Sequence, residues 1–212
     1  MSSYDLEEQE QLAELKAFWK QYGTLIALAL AAAALVFAAW RVWVWYQGSQ
    51  AAQASVVYGE LQKAATANDA KKVRDLAGAL IEQYPRSAYA PLGALVSGKV
   101  HFAGGDLKTA RAQLAWAVEN ARDPGVQALA RLRLANVLID EKAFDEALKV
   151  LGTKPEPALE ALFEDARGDV LAAQGKPAEA RTAYAGALAK LKPGEDAARE
   201  LVQLKLDGLG AQ

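Results

Sequence analysis

The 212-residue chain carries 24 basic and 26 acidic residues and no cysteine. Three of the basic and five of the acidic residues lie in 1–46, so residues 47–212 hold 21 of each, without the clustered Lys and Arg that nucleic acid or an anionic lipid surface requires. The missing cysteines exclude disulfides, thiolate metal sites, thiol catalysis and lipid attachment through sulfur. After residue 47 alanine and other helix formers dominate and long β-branched runs are missing, which predicts an all-α protein.

The chain opens on a short acidic tail, 1–22, with Asp5, Glu7, Glu8, Glu10 and Glu14. Leu12, Leu15, Phe18, Trp19 and Tyr22 fall on one helical face, as expected of an extension running into a membrane or of a helix that meets a partner. Thr24–Trp40 then gives 17 residues without a charge, and Val42–Tyr46 completes a 23-residue span around Arg41. About 20 apolar residues cross a bilayer as a helix. Arg41 sits near one end, where a long cationic side chain reaches the headgroups. Phe18, Trp19 and Tyr22 flank one end and Trp40, Trp43, Trp45 and Tyr46 the other, in the manner of interfacial belts. A cleaved leader would use the small residues of Ala52-Gln53-Ala54, but the acidic start and the length of the apolar run oppose it. Lys16 and Lys20 before the span, against Arg41 at its far end, bias the N-terminus towards the cytoplasm by a single charge. The expected division is therefore a tail at 1–22, a transmembrane helix at 23–46 and a helical domain at 47–212.

Three stretches of that domain align on a small residue followed, twelve positions later, by an alanine: Gly98 and Ala110, Ala135 and Ala147, Gly168 and Ala180. A larger apolar residue follows each alanine by four (Leu114, Leu151, Tyr184), and the alanines are 37 and 33 apart. That period predicts stacked helix–turn–helix units. Helices packed antiparallel need a small residue where backbones approach, and Gly98 with Ala110 is the expected contact. Turns fall at Gly104-Gly105-Asp106, Glu141-Lys142 and Gly175-Lys176-Pro177, where glycine ends a helix and proline starts one. The units run about 91–120, 127–152 and 160–193. Upstream, Gln50–Ala67 and Lys71–Tyr84 form a degenerate unit at about 50–85. The amphipathic segment at 195–206 closes the stack as a capping helix.

These residues resemble the tetratricopeptide repeat. The third unit is most similar, with Gly168, Leu171, Gly175, Ala180, Tyr184, Ala187 and Pro193. The middle unit departs by Lys142 at the turn glycine and by lacking a terminal proline, and the first puts His101 in an aromatic slot. The order of parts, an acidic tail, Phe18-Trp19-Lys20-Gln21-Tyr22-Gly23, one span ending in Trp40-Arg41, then divergent repeats, is similar to the YfgM family of bacterial inner-membrane proteins. That resemblance implies a cytoplasmic tail and a periplasmic repeat domain. It further implies association with the SecYEG translocon and with periplasmic chaperones such as PpiD, and possible contact with exported polypeptides.

Catalytic chemistry finds no convergent set. His101 is the only histidine, so no typical metal site and no cofactor is expected. Glu164-Asp165 and Glu195-Asp196 read as solvated helix charge, and the glycine pairs lack the strand and the Gly-Lys-Ser/Thr of a phosphate loop. The expected role is non-enzymatic: protein–protein interaction. In repeats of this kind the first helices line a groove. The positions carried onto this chain are Lys99 and Phe102, Arg133 and Asn136, and Asp165 and Asp169, with Leu95, Leu132 and Ile139 giving apolar contact. The Arg133 and Asn136 pair weakly resembles the clamp that some such domains use for a peptide carboxylate, which a guanidinium fork suits.

Overall fold

The structure, a computed structural model, describes the backbone of residues 3–210 and the side chains of 12–210. The tail's acidic Asp5, Glu7, Glu8 and Glu10 side chains lie outside the described residues. Among the described residues there are nine α-helices, one short 3₁₀ turn (Pro157–Leu159) and no strand. The helices are α1 (Ser3–Thr66), α2 (Ala70–Gln83), α3 (Tyr89–Ala103), α4 (Leu107–Asn120), α5 (Pro124–Asp140), α6 (Phe144–Leu151), α7 (Glu160–Ala173), α8 (Pro177–Lys190) and α9 (Asp196–Gly208). They divide into two units, Met1–Ser49 and Gln50–Gln212. Gln50 itself is not an element boundary: α1 runs from Ser3 to Thr66, so the helix expected from Gln50 is the last part of α1.

Within the first unit α1 is long and apolar enough to cross a membrane, and none of its most apolar stretch is buried. A core helix of a soluble domain would bury that surface. Here Leu28, Leu35, Phe37 and Trp45 all stand exposed. Phe18 stacks beside Tyr22 and Phe37 beside Trp40, one at each end of the span.

The second unit is built on one repeated turn. Gly105, Lys142 and Gly175 take the left-handed conformation, with φ of 77°, 58° and 77°. In each, the next residue's amide donates back to a helix carbonyl: Asp106 to His101, Ala143 to Leu138, Lys176 to Leu171, at 2.8 to 2.9 Å. This is the double-bonded helix ending that satisfies otherwise orphaned carbonyls. The upstream pair, which the sequence marks as degenerate, has the same turn. Asn68 sits at φ 54°, and the Asp69 amide donates to Ala64 at 3.0 Å. Asp69 and Asp106 then cap α2 and α4 by accepting from the Lys72 and Thr109 amides.

Lys142 holds its turn without glycine's freedom. A left-handed conformation strains a residue with a Cβ by roughly 1–2 kcal/mol, and glycine loses part of that difference in unfolded-chain entropy. Lys142→Gly is therefore expected to stabilise the domain by about 0.5–1 kcal/mol, seen as a higher midpoint in thermal unfolding followed by circular dichroism. An unchanged or lower midpoint would count against the strained-turn account.

Packing follows the small-residue pattern with one shift of partner. A Cβ on Gly98 would lie 2.6 Å from Leu114 Cγ, and one on Gly168 would lie 2.3 Å from Tyr184 Cε1. The close neighbour is thus the large residue four positions after the expected alanine, although Ala110 and Ala180 are fully buried as well. The hairpin centred on Gly105 puts Gly98 opposite the interval between Ala110 and Leu114, and the longer side chain reaches into the space. His101 lies in the core at 5% exposure, with Nδ1 3.2 Å from Asp106 Oδ2. Trp116 packs between the first two units, touching the apolar clusters of both. The first helices also touch one another in sequence, α3 to α5 and α5 to α7, and so form one continuous face.

Candidate partner-binding groove

On that face α3 and α5 carry a cavity of about 170 Å³ lined by Gly98, Lys99, Phe102, Leu114, Arg133 and Asn136. Gly98 lets Leu114 of α4 rise between the two helices and form the floor. Phe102 is half-buried and gives an apolar wall, while Lys99 and Asn136 stand exposed at the rim. Arg133 crosses from α5 to α3, where its Nη1 donates to the Leu95 carbonyl at 3.1 Å. Burial lowers the guanidinium's pKa from its ordinary value. No carboxylate lines the cavity. Two cations beside an aromatic wall, with an amide at the rim, can hold an acidic group and a neighbouring apolar side chain of a polypeptide.

The other two sequence-predicted residues, Asp165 and Asp169 on α7, are not part of this cavity. Lys205 of α9 covers them. Its ammonium donates to both oxygens of Asp165 at 2.9 Å and to Asp169 at 2.8 Å. The Tyr184 hydroxyl donates to Asp169 Oδ1 at 2.8 Å, and Lys205 lies 5.8 Å from the centre of the Tyr184 ring. Burial raises the pKa of Asp165, and the hydrogen bond from Lys205 offsets only part of that. Burial pulls Lys205 down, but its bonds to Asp169 and Asp165 more than reverse this and leave it raised. Burial, then the bond to Asp169, pushes the Tyr184 phenol well up. Of the expected apolar contacts, Leu95 is buried, and Leu132 and Ile139 are half-buried against the core.

Lys205 is the partner of Asp165 and Asp169 that sequence reasoning missed. Its signal was present: Val202, Leu206 and Leu209 form the packed face of α9, and Lys205 falls on that same face at helical spacing. A further cavity, of about 410 Å³, lies where the turn before α3 meets the turn before α5. It is walled by Pro85, Pro91, Leu92 and Val126, with Arg86 and Arg122 among its lining, and no spacing in the sequence pointed to it. Among the described residues no group of three or more His, Cys, Asp or Glu side chains gathers to hold a metal ion.

Residues 16–211 match the family model described as a tetratricopeptide repeat-like domain. Among curated relatives, a protein of Neisseria gonorrhoeae named ancillary SecYEG translocon subunit is 35% identical over 205 residues, covering 96% of this chain and 98% of the relative. Proteins of the same name from Escherichia coli and Haemophilus influenzae are 29% and 25% identical over 206 and 207 residues, covering 95% and 98% of this chain and 96% and 100% of theirs. No solved structure matches the chain. The chain therefore belongs to the YfgM family, whose curated members carry the name ancillary SecYEG translocon subunit, and its domain is of the tetratricopeptide repeat-like kind.

Proposed function

We propose that this protein is an accessory subunit of the SecYEG export channel, a membrane-anchored interaction module without enzymatic activity. Residues 1–22 would lie in the cytoplasm, 23–46 in the inner membrane and 47–212 in the periplasm. The groove at Lys99, Phe102, Arg133 and Asn136 would bind a periplasmic chaperone such as PpiD, or an exported polypeptide. The observation that carries this reading is similarity, over nearly the full length of both chains, to relatives named for the translocon. The apolar α1 fits it, as does Arg133, which bonds the Leu95 carbonyl and, among the described residues, no carboxylate. The mechanism is positional: an anchor beside the channel raises the effective concentration of the groove for chains emerging there.

Crosslinking the full-length protein in native membranes, followed by mass spectrometry, tests both parts. Translocon subunits should dominate with the wild type. A Lys99→Ala/Arg133→Ala double variant should keep them and lose the chaperone or exported chain by at least about tenfold, the worth of one or two charge-assisted hydrogen bonds. Recovery of envelope-assembly proteins without translocon subunits would replace this reading with that of an assembly scaffold.

A further inference from the structure

The cavity of about 410 Å³ between the turn before α3 and the turn before α5 shares no lining residue with the groove at Lys99 and Arg133. Its walls are held in place by the fold. Pro85 and Pro91 have fixed φ angles. The Ser87 amide donates to the Tyr84 carbonyl at 2.9 Å and sets the turn between them. Leu92 and Val126 pack against the apolar core on one side and leave part of their surface open on the other. The volume falls within the roughly 300–1,000 Å³ of preformed ligand pockets, enough for a short run of side chains.

The polar groups around this apolar floor have little to do within the molecule. Arg86 and Arg122 stand exposed, one on each turn. Among the described residues neither takes part in an ion pair. The Ser87 hydroxyl oxygen is buried and has no hydrogen-bond partner among the described residues, an uncommon state for a buried polar atom. Asp123 is the one carboxylate in the lining, and its Oδ1 already accepts from the Val126 amide at 2.8 Å to cap α5. Asn120 donates to the Trp116 carbonyl within its own helix.

The next junction along the stack offers a comparison. Where α5 begins beside the connection from α6 to α7, the cavity holds only about 110 Å³. Its basic groups are answered from within: Arg131 donates to the Val150 carbonyl at 3.4 Å, and Glu156 lines the space together with Lys154. Open volume and uncommitted positive charge therefore coincide at the earlier junction.

We propose that this junction is a second binding site, which takes a polypeptide segment carrying a carboxylate beside a leucine-sized apolar side chain. The apolar side chain enters between Leu92 and Val126, and the carboxylate accepts from Arg86, Arg122 and the Ser87 hydroxyl. Guanidinium forks match a carboxylate, and the adjoining apolar contact keeps water from those bonds. The carboxylate has two sources, a glutamate or aspartate side chain and a chain's own C-terminus. An anionic membrane surface calls for a cluster of about 4–8 basic residues, and the lining has only Arg86 and Arg122. The site does not rest on the groove reading, and it gives the domain a second point of attachment.

The test uses the full-length chain in nanodiscs of zwitterionic lipid and rhodamine-labelled peptides followed by fluorescence polarisation. One peptide, Gly-Gly-Leu-Glu-Leu-Gly with an amidated end, offers only a side-chain carboxylate. A second, Gly-Gly-Gly-Leu-Leu with a free end, offers only a terminal one. At least one of them should bind the wild type, and which one does identifies the source. Its neutral analogue, with glutamine for glutamate or an amidated end, should bind at least about tenfold more weakly, and so should the analogue with serine for both leucines. Arg86→Gln/Arg122→Gln changes two exposed side chains and should leave the thermal midpoint in place, yet it should weaken binding at least about tenfold, the worth of one or two charge-assisted hydrogen bonds. Lys99→Ala/Arg133→Ala should leave it unchanged. Loss in the Lys99 and Arg133 variant alone would put the peptide in the groove and overturn the proposal. Equal binding of the charged and neutral peptides, or no binding of either carboxylate peptide up to about 1 mM, would overturn it as well. Each of these results leaves chaperone capture through Lys99 and Arg133 to its own experiment.

Discussion

Gly98→Val and Gly168→Val should each destabilise the repeat domain by roughly 1–3 kcal/mol, against a background in which removing glycine from a helix usually helps. The first methyl-bearing carbon at 98 would stand 2.6 and 2.7 Å from two carbons of Leu114, whose side chain is buried and can move only into the cavity between α3 and α5. At 168 it would meet the Tyr184 ring at 2.3 to 2.8 Å, and that ring is pinned through its hydroxyl to Asp169. Valine's gain in helix propensity over glycine, a few tenths of a kcal/mol, is too small to compensate. Gly78 provides the control. It is helical with nothing within 4 Å of an added Cβ, so Gly78→Ala should raise stability by up to about 1 kcal/mol. Thermal unfolding followed by circular dichroism separates the cases. Midpoints that rise at all three glycines would refute the close approach of α3 to α4 and of α7 to α8. The two core variants should also differ in function. Gly98→Val pushes up the floor of the groove, whereas Gly168→Val disturbs the Tyr184, Asp169 and Lys205 network.

A second large effect is expected in the anchor. Leu30 and Leu35 are 66% and 72% exposed on α1, in the charge-free part of the span. An arginine near the centre of a membrane helix costs about 2.5–3.5 kcal/mol on insertion scales, so Leu30→Arg with Leu35→Arg should cost roughly twice that. The double variant should be released by alkaline carbonate extraction, with its repeat domain still folded and helical. Wild type should stay in the pellet. Release of the wild type, or retention of the double variant, would remove the transmembrane assignment and with it the positional mechanism.

What the sequence made legible was whatever its local spacing encodes. The interval from small residue to alanine, and the larger apolar residue four later, located α3 to α8, because a helical hairpin repeats its contacts at fixed distances from the turn. Lys142 was visible as a departure, and it occupies the same left-handed position as Gly105 and Gly175. Asn68 was passed over because asparagine announces a left-handed turn less plainly than glycine, although its spacing of 37 from Gly105 is the same as that from Gly105 to Lys142. Long-range pairing was harder to see. Nothing near Asp165 says that, among the basic residues, the one 40 positions later will reach it. That choice is made by how α9 lies along α8, which depends on Val202, Leu206 and Leu209 finding Tyr184 and Leu171. Lys99, Phe102, Arg133 and Asn136 came together because they lie on adjacent first helices, whose register one unit passes to the next.

Packing only between neighbours has a mechanical corollary. The largest helix-to-helix contacts lie within units, α7 with α8 and α3 with α4; the main contacts between units join only neighbours, and α3 makes none of them with α7. Interfaces arranged in this way act as springs in series: a pull on one end is shared along the stack, and the softest joint stretches first. Here that joint is α9, whose one buried residue is Val202, so a tug at the C-terminal end should free the helix before it disturbs the core around Leu114 and Leu138. A domain with a single interlocked core would resist the same load and then fail all at once, whereas this one can yield by degrees and recover.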